Sequence, residues 1–177
     1  MKLVRSFPAE PPASRNYVVD DAVRLVNAGY DYRGLLEVGD DVIHLDWDTA
    51  LSREDLVAFA DAARSDPDRV LVAPVPIYPD SRRGLPATIW NTRRYTSAAR
   101  VAMEHNQHGD RFCHLFGFGM LYLPYALIKA FCEDEPDGPM GDMHFALWHY
   151  SNVRHEVPLW WDGHPIHLHY RISEVPL

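Results

Sequence analysis

The stretch from Asp40 to Ser52, DDVIHLDWDTALS, constrains this chain more than any other. Val42, Ile43 and Leu45 make a short apolar run that reads as a buried strand, and Asp46 and Asp48 follow it two residues apart. Strand side chains alternate between faces, so the two carboxylates are expected to emerge on the same side. Two like charges at the edge of a core repel each other unless a cation lies between them. The run therefore asks for a buried strand whose charged end opens on a site.

The flanking pattern supplies the rest of a layered fold. KLVRSF at residues 2–7 reads as a strand, followed by a Pro-rich loop. Residues 17–28 place Val18, Val19, Ala22, Val23, Leu25 and Val26 on one broad helical face. Ser52 with Asp55 three residues later makes a capping box, and Leu56, Val57, Phe59, Ala60 and Ala63 continue a helix to about Ser65. RVLVAPV at 69–75 is a second buried strand.

The segment from Pro76 to Asp110 reads mainly as a functional loop. FCHLFGFGMLYL at 112–123 is strand-like, with Gly117 and Gly119 allowing close backbone approach. Pro124 suits the first turn of a helix through YALIKAF. MHFALWHY at 143–150 reads as a helix, and PIHLHYRI at 165–172 alternates like a strand. Strands separated by helices predict one α/β domain over residues 1–177, with a mixed, mostly parallel sheet flanked by helices.

Composition narrows the function. The 177 residues suffice for one ordinary core, and 47% apolar with 24% charged residues are globular values. A formal charge of −8 argues against a general nucleic-acid footprint. Two cysteines, Cys113 and Cys132, are too few for a secreted disulfide framework, so a reducing cytoplasm is expected. The start, MKLVRSFPAEPP, lacks the apolar core of a signal peptide. FGFGMLYLPYALIKAF is short for a membrane span and contains Pro124 and Lys129.

In an open α/β sheet, ligands gather at the carboxyl ends of the strands, where Asp46-Trp47-Asp48 falls. Carboxylates of this kind hold Mg²⁺ or Mn²⁺ together with substrate phosphates. The plainer alternative has Asp48 opening a turn and Asp46 solvated.

An ordered set of motifs accompanies the pair. HLDWDTALS stands where an "FLDxDxxL" strand end would, followed by VAPVPIYPDSRRG, GFGMLYLPYALI, Gly141-Asp142-Met143-His144-Phe145 and IHLHY. Over residues of about 40 to 170 the chain resembles the nucleotide-sugar-dependent glycosyltransferases of the GT-A fold. It looks closest to the family-2-like enzymes, including short forms found in phages. Only 45 residues precede Asp46, where that family spends more chain on recognising the nucleotide base, and Gly141 replaces its first acidic position. The N-terminal half is thus compressed.

The resemblance implies a metal-dependent glycosyltransferase of the cytoplasm (host cytoplasm, if phage-encoded). It would move a sugar from a nucleotide-diphosphate donor to a hydroxyl on a glycan, protein or modified nucleobase. Asp48 would hold Mn²⁺ or Mg²⁺, and Asp46 would contact the donor ribose or the metal through water. His167 or His169 would complete the metal shell, unless these imidazoles only bond backbone carbonyls in a half-buried strand. Arg82 and Arg83 would clamp the diphosphate, or else form a solvated pair. Asp142 would be the general base of an inverting transfer, with retention as the other stereochemical course; its structural alternative is a carboxylate on a helix dipole. Trp90, Trp160 and Trp161 suit either sugar stacking or a core. A metal-dependent phosphoesterase and a non-catalytic nucleotide-sugar or glycan-binding module are the rival classes.

Overall fold

The structure is a computed structural model, in which residues 1–7, 22–26, 31–77, 89–96, 102–163 and 165–167 are described. Its main sheet is built from β1 (Lys2–Phe7), β2 (Val23–Val26), β3 (Val42–Asp46), β5 (Leu71–Val72) and β12 (Met120–Leu123), in the order β2-β1-β3-β12-β5. Strand β1 runs parallel to both β2 and β3, with Ser6 opposite Leu25 and Asp46. Strand β12 is antiparallel to both β3 and β5. The sheet is mixed as expected, but parallel pairs share it evenly with antiparallel ones rather than dominating.

Alternation along β3 sorts the core into two layers. Val42 joins Val4, Leu35, Leu121, Leu123, Phe131 and Phe145 on one face. Ile43 and Leu45 join Phe59, Ala63, Val75, Met120 and Trp160 on the other. The first face is covered by α1 (Leu35–Val38), α3 (Tyr125–Asp134) and α4 (Asp142–Asn152), the second by α2 (Arg53–Ser65). Full burial of a side chain such as Phe59 contributes roughly 1.5–3 kcal/mol.

Helix α2 begins where its sequence says: Ser52 Oγ accepts from the Asp55 backbone N–H at 3.0 Å. Helix α3 follows Pro124, whose φ of −60° and ψ of 134° make it the cap rather than the first helical residue. Helix α4 spans the expected 143–150 and begins one residue earlier, at Asp142.

Two further sequence expectations are corrected. Val23–Val26 is strand β2, not part of a helix. The four residues Val23-Arg24-Leu25-Val26 suit either state, and the parallel register Val4–Val23 to Phe7–Val26 decides for the strand. The remaining positions of 17–28, except Ala22, lie outside the described residues.

The segment from Pro76 to Asp110 is not mainly loop where it is described. It contains β6 (Pro76–Ile77), β7 (Ile89–Trp90), β8 (Thr92–Tyr95) and β9 (Met103–His105), with β6–β7 and β8–β9 paired antiparallel. The charged Arg93 and Arg94 obscure the strand period, although Thr92 is fully buried. Residues 112–123 break into β10 (Phe112–Cys113), β11 (Leu115–Phe116) and β12.

Candidate active site: carboxylates at the strand ends

Strands β1, β3 and β5 end on the same edge of the sheet, and β12 starts there. Asp46 is the last residue of β3, and its N–H bonds the Gly119 carbonyl at 2.9 Å. Asp46 shares the Val42 and His44 side of the strand, which faces α4. Trp47 and Asp48 form a turn, after which β4 (Thr49–Ala50) leads away. Arg5 holds this turn shut: its Nη1 donates to the Asp46 carbonyl at 2.9 Å and to the Thr49 carbonyl at 2.7 Å.

The two aspartates differ in environment. Asp48 is buried at 5% exposure, whereas Asp46 keeps 29% of its side chain exposed. The alternative in which Asp46 is simply solvated does not describe this geometry. The Tyr32 hydroxyl donates to Asp46 Oδ1 at 3.1 Å. Burial and then the neighbouring Asp48 charge push the Asp46 carboxyl up to about 8, with Asp142 adding to the rise and Tyr32 and Arg5 opposing it.

Asp142 comes from a distant part of the chain as the first residue of α4. Its Oδ1 accepts from the Met143 N–H at 2.6 Å, which is the helix-end role. Its Oδ2 lies beside Gly117, where an added Cβ would come within 3.3 Å of it. Asn91 braces the same place: its N–H bonds the Val75 carbonyl, and its carbonyl accepts from Gly117 at 2.9 Å. Asn91 Oδ1 accepts from the Val75 N–H at 2.8 Å. Gly119 is required too, since a Cβ there would meet Asn91 Nδ2 and Val75 Cγ2 at 2.9 Å.

Beneath Asp46 lies a polar stack that the D-x-D pattern does not announce. His44 is fully buried and pushed down to about 3 by that burial, so it is neutral. Its Nδ1 faces the Phe118 carbonyl at 2.6 Å and must carry the proton. Its Nε2 then accepts from the Ser6 hydroxyl at 2.7 Å and stands 4.0 Å from Asp46 Oδ1. Arg5, Ser6 and Tyr32 belong to this site and were not singled out from sequence. The available signal was an arginine and a serine inside an otherwise apolar strand.

The last strand returns to the same edge. After β13 (Val157–Pro158), which pairs with β10, comes β14 (Ile166–His167), antiparallel to β4, where His167 is opposite Thr49, the residue after Asp48. The His167 side chain, Arg82, Arg83 and His169 lie outside the described residues. Among the described residues, no three His, Cys, Asp or Glu side chains are grouped to hold a metal on their own. The tryptophans divide: Trp160 packs edge-on to Phe59 in the core, while Trp90 and Trp161 meet edge to face at 5.0 Å. Trp161 Nε1 donates to the Asp110 carbonyl at 2.6 Å.

The arrangement is that of an α/β protein with acidic groups at the carboxyl edge of its sheet. No protein-family model matches the chain, and no curated protein matches it in sequence. Among solved structures it is similar to A197 from STIV, with a TM-score of 0.56 and 13% identity over 93% of this chain and 84% of that one. It is also similar to a putative glucose-1-phosphate thymidylyltransferase from Bacillus anthracis in complex with a sucrose. That likeness has a TM-score of 0.51 and 10% identity, over 86% of this chain and 63% of that one. At such identities the likeness is one of fold. Among the described residues, no helix is long and apolar enough to cross a membrane.

Proposed function

We propose that this chain is a metal-dependent glycosyltransferase that moves a sugar from a nucleotide-diphosphate donor to an acceptor hydroxyl, with inversion. The observation that carries the reading is that Asp46 at the end of β3, Asp48 in the turn after it, and Asp142, whose Oδ2 lies beside Gly117 just before β12, stand at one edge of the sheet. The fold shared with a putative glucose-1-phosphate thymidylyltransferase, named for a sugar phosphate, is in keeping with it.

The donor set suits Mn²⁺ or Mg²⁺. Carboxylate oxygens are hard ligands, and negative charge gathered at this edge favours a cation held by Asp48 with the donor phosphates supplying further oxygens. The Thr49 hydroxyl, beside Asp48, is buried without a hydrogen-bond partner among the described residues and offers another oxygen. When bound, the ion would neutralise charge on the departing nucleoside diphosphate. Asp48 would hold it, with an imidazole from His167 or His169 and the donor phosphates completing the shell, and Asp46 would face the donor ribose. Arg82 and Arg83 are proposed to clamp the diphosphate.

Asp142 acts on the acceptor. Its Oδ1 is engaged by the Met143 N–H, leaving Oδ2 beside Gly117 to take the acceptor's proton. The acceptor oxygen bonds to the sugar C1 as the C1–O bond to the diphosphate breaks. The electron pair leaves on the diphosphate.

A panel of nucleotide sugars, assayed for nucleoside diphosphate release with Mn²⁺ and with EDTA, tests the reading. Metal-dependent release from one donor, stimulated by a glycan, protein or nucleobase acceptor, is the expected result. Hydrolysis of simple phosphate esters without a sugar donor would instead identify a phosphoesterase. Binding without turnover would identify a recognition module.

A further inference from the structure

Tyr32 contributes to the site in a way that the D-x-D motif does not contain. Its ring is buried between the rings of His44, edge-on at 5.2 Å, and Phe118 at 4.5 Å. Only its hydroxyl reaches the strand end, where it donates to Asp46 Oδ1. The His44 imidazole stands off the same oxygen at 4.0 Å. Among the described residues no hydrogen bond engages Asp46 Oδ2. The two carboxylate oxygens are therefore not equivalent: one is seated in the protein, the other faces outward.

The backbone of Tyr32 is tied to the opposite side of the site. Its N–H bonds the Met140 carbonyl at 3.0 Å, and Oδ1 of the adjacent Asp31 accepts from the Met140 N–H at 3.0 Å. Met140 immediately precedes Gly141, the N-cap of α4, whose first residue is Asp142. One short turn, Tyr32–Gly34, thus touches Asp46 through a side chain and the start of α4 through its backbone.

We infer that Tyr32 is a positioning residue that fixes Asp46 Oδ1 and presents Oδ2 alone to the donor, while setting Asp46 against Asp142. This rests on the glycosyltransferase reading above and names which oxygen of Asp46 serves it. The Tyr32 bond fixes the plane of the carboxylate and occupies one lone pair of Oδ1, so a ligand meets Oδ2 in a set direction.

The test measures binding of UDP, GDP, ADP, CDP and dTDP in the presence of Mn²⁺ by calorimetry, with melting of the apo protein as a folding check. Tyr32→Phe keeps the buried ring, and it should weaken the nucleotide that binds wild type by about tenfold, the scale of one hydrogen bond to a charged group. Asp46→Asn should lose as much as Asp46→Ala. The amide oxygen takes the Tyr32 bond and turns the NH₂, a donor, toward a ligand that needs an acceptor. Adding Tyr32→Phe to Asp46→Asn frees the amide to turn and should recover part of the loss.

Unchanged binding by Tyr32→Phe, or a double variant weakened by the product of the two single losses, would overturn the proposal while leaving the functional reading intact. If Tyr32→Phe does not fold, the comparison of Asp46→Asn with Asp46→Ala decides, and near-wild-type binding by Asp46→Asn refutes it. A wild-type protein that binds none of the five with Mn²⁺ overturns the functional reading itself, and the role given to Oδ2 falls with it.

Discussion

Arg5 donates to the Thr49 carbonyl at 2.7 Å across 44 residues of chain, and the same nitrogen reaches the Asp46 carbonyl at 2.9 Å. A guanidinium at 4% exposure thus fastens both ends of the turn that carries Asp48. Arg5→Met should fill the volume but leave both carbonyls without this donor. A loss of about 2–4 kcal/mol is expected from the cost of unsatisfied buried acceptors, read by denaturant unfolding. Metal-dependent nucleotide binding should fall further than stability alone explains. Wild-type stability in Arg5→Met would remove the clamp from this account.

Stability should peak near neutrality for reasons that can be traced to three groups. Burial lowers His44 to about 3 and His149 to about 4 from 6.5, so below 6.5 the unfolded chain binds protons that the folded one refuses. Stability falls as pH drops through that range. In the metal-free protein Asp46 has the opposite sign: burial and Asp48 raise it from 3.8 to about 8, so the folded chain keeps a proton the unfolded chain has lost. Its contribution declines as pH rises toward 8. Two imidazoles outweigh one carboxyl between about 4 and 6.5, which places the maximum near 6.5. Asp46→Asn should abolish the decline on the alkaline side, as followed by melting temperature against pH. A decline that persists in this variant would assign it to other groups.

The two glycines before β12 should separate function from folding. Gly117→Ala places a methyl 3.3 Å from Asp142 Oδ2, and a carboxylate can give way by a few tenths of an ångström. Activity should drop with little change in stability. Gly119→Ala meets Val75 and Asn91 at 2.9 Å inside the core, where giving way costs packing, typically 1–3 kcal/mol. Melting and turnover of the two variants check the contrast; equal destabilisation would contradict it.

Asp142→Asn should leave nucleotide affinity nearly intact and lower turnover by about a hundredfold or more, the scale of a lost general base. Steady-state kinetics read this directly. Full turnover would return Asp142 to its bond with the Met143 N–H, or point to a retaining course.

Much of the framework was legible in the sequence because the local signals were strong. Ser52 and Asp55 mark the start of α2, and Val42–Asp46 is the strand that its apolar run implies. Asp142 opens α4, as a lone acidic residue before an apolar run suggests. Val23–Val26 misled because four residues, one of them Arg24, carry no decisive period, and only its pairing with β1 fixes it. Strands β6 and β7 were hidden because each is only two residues long, and β8 because Arg93 and Arg94 break its apolar pattern. At the site, the aspartates were visible as a motif, whereas Tyr32 and Asn91 were not. Each acts through a tertiary contact, Tyr32 on Asp46 and Asn91 on Val75 and Gly117, that no spacing encodes.

The most direct measurement of the central claim is a Mn²⁺ titration by electron paramagnetic resonance, with and without the nucleoside diphosphate of the preferred donor. One Mn²⁺ should bind per chain, far more tightly with the nucleotide present. Asp48→Ala should abolish it, and His167→Ala should weaken it more than His169→Ala. Mn²⁺ binding that is absent, or that survives Asp48→Ala unchanged, would contradict that claim.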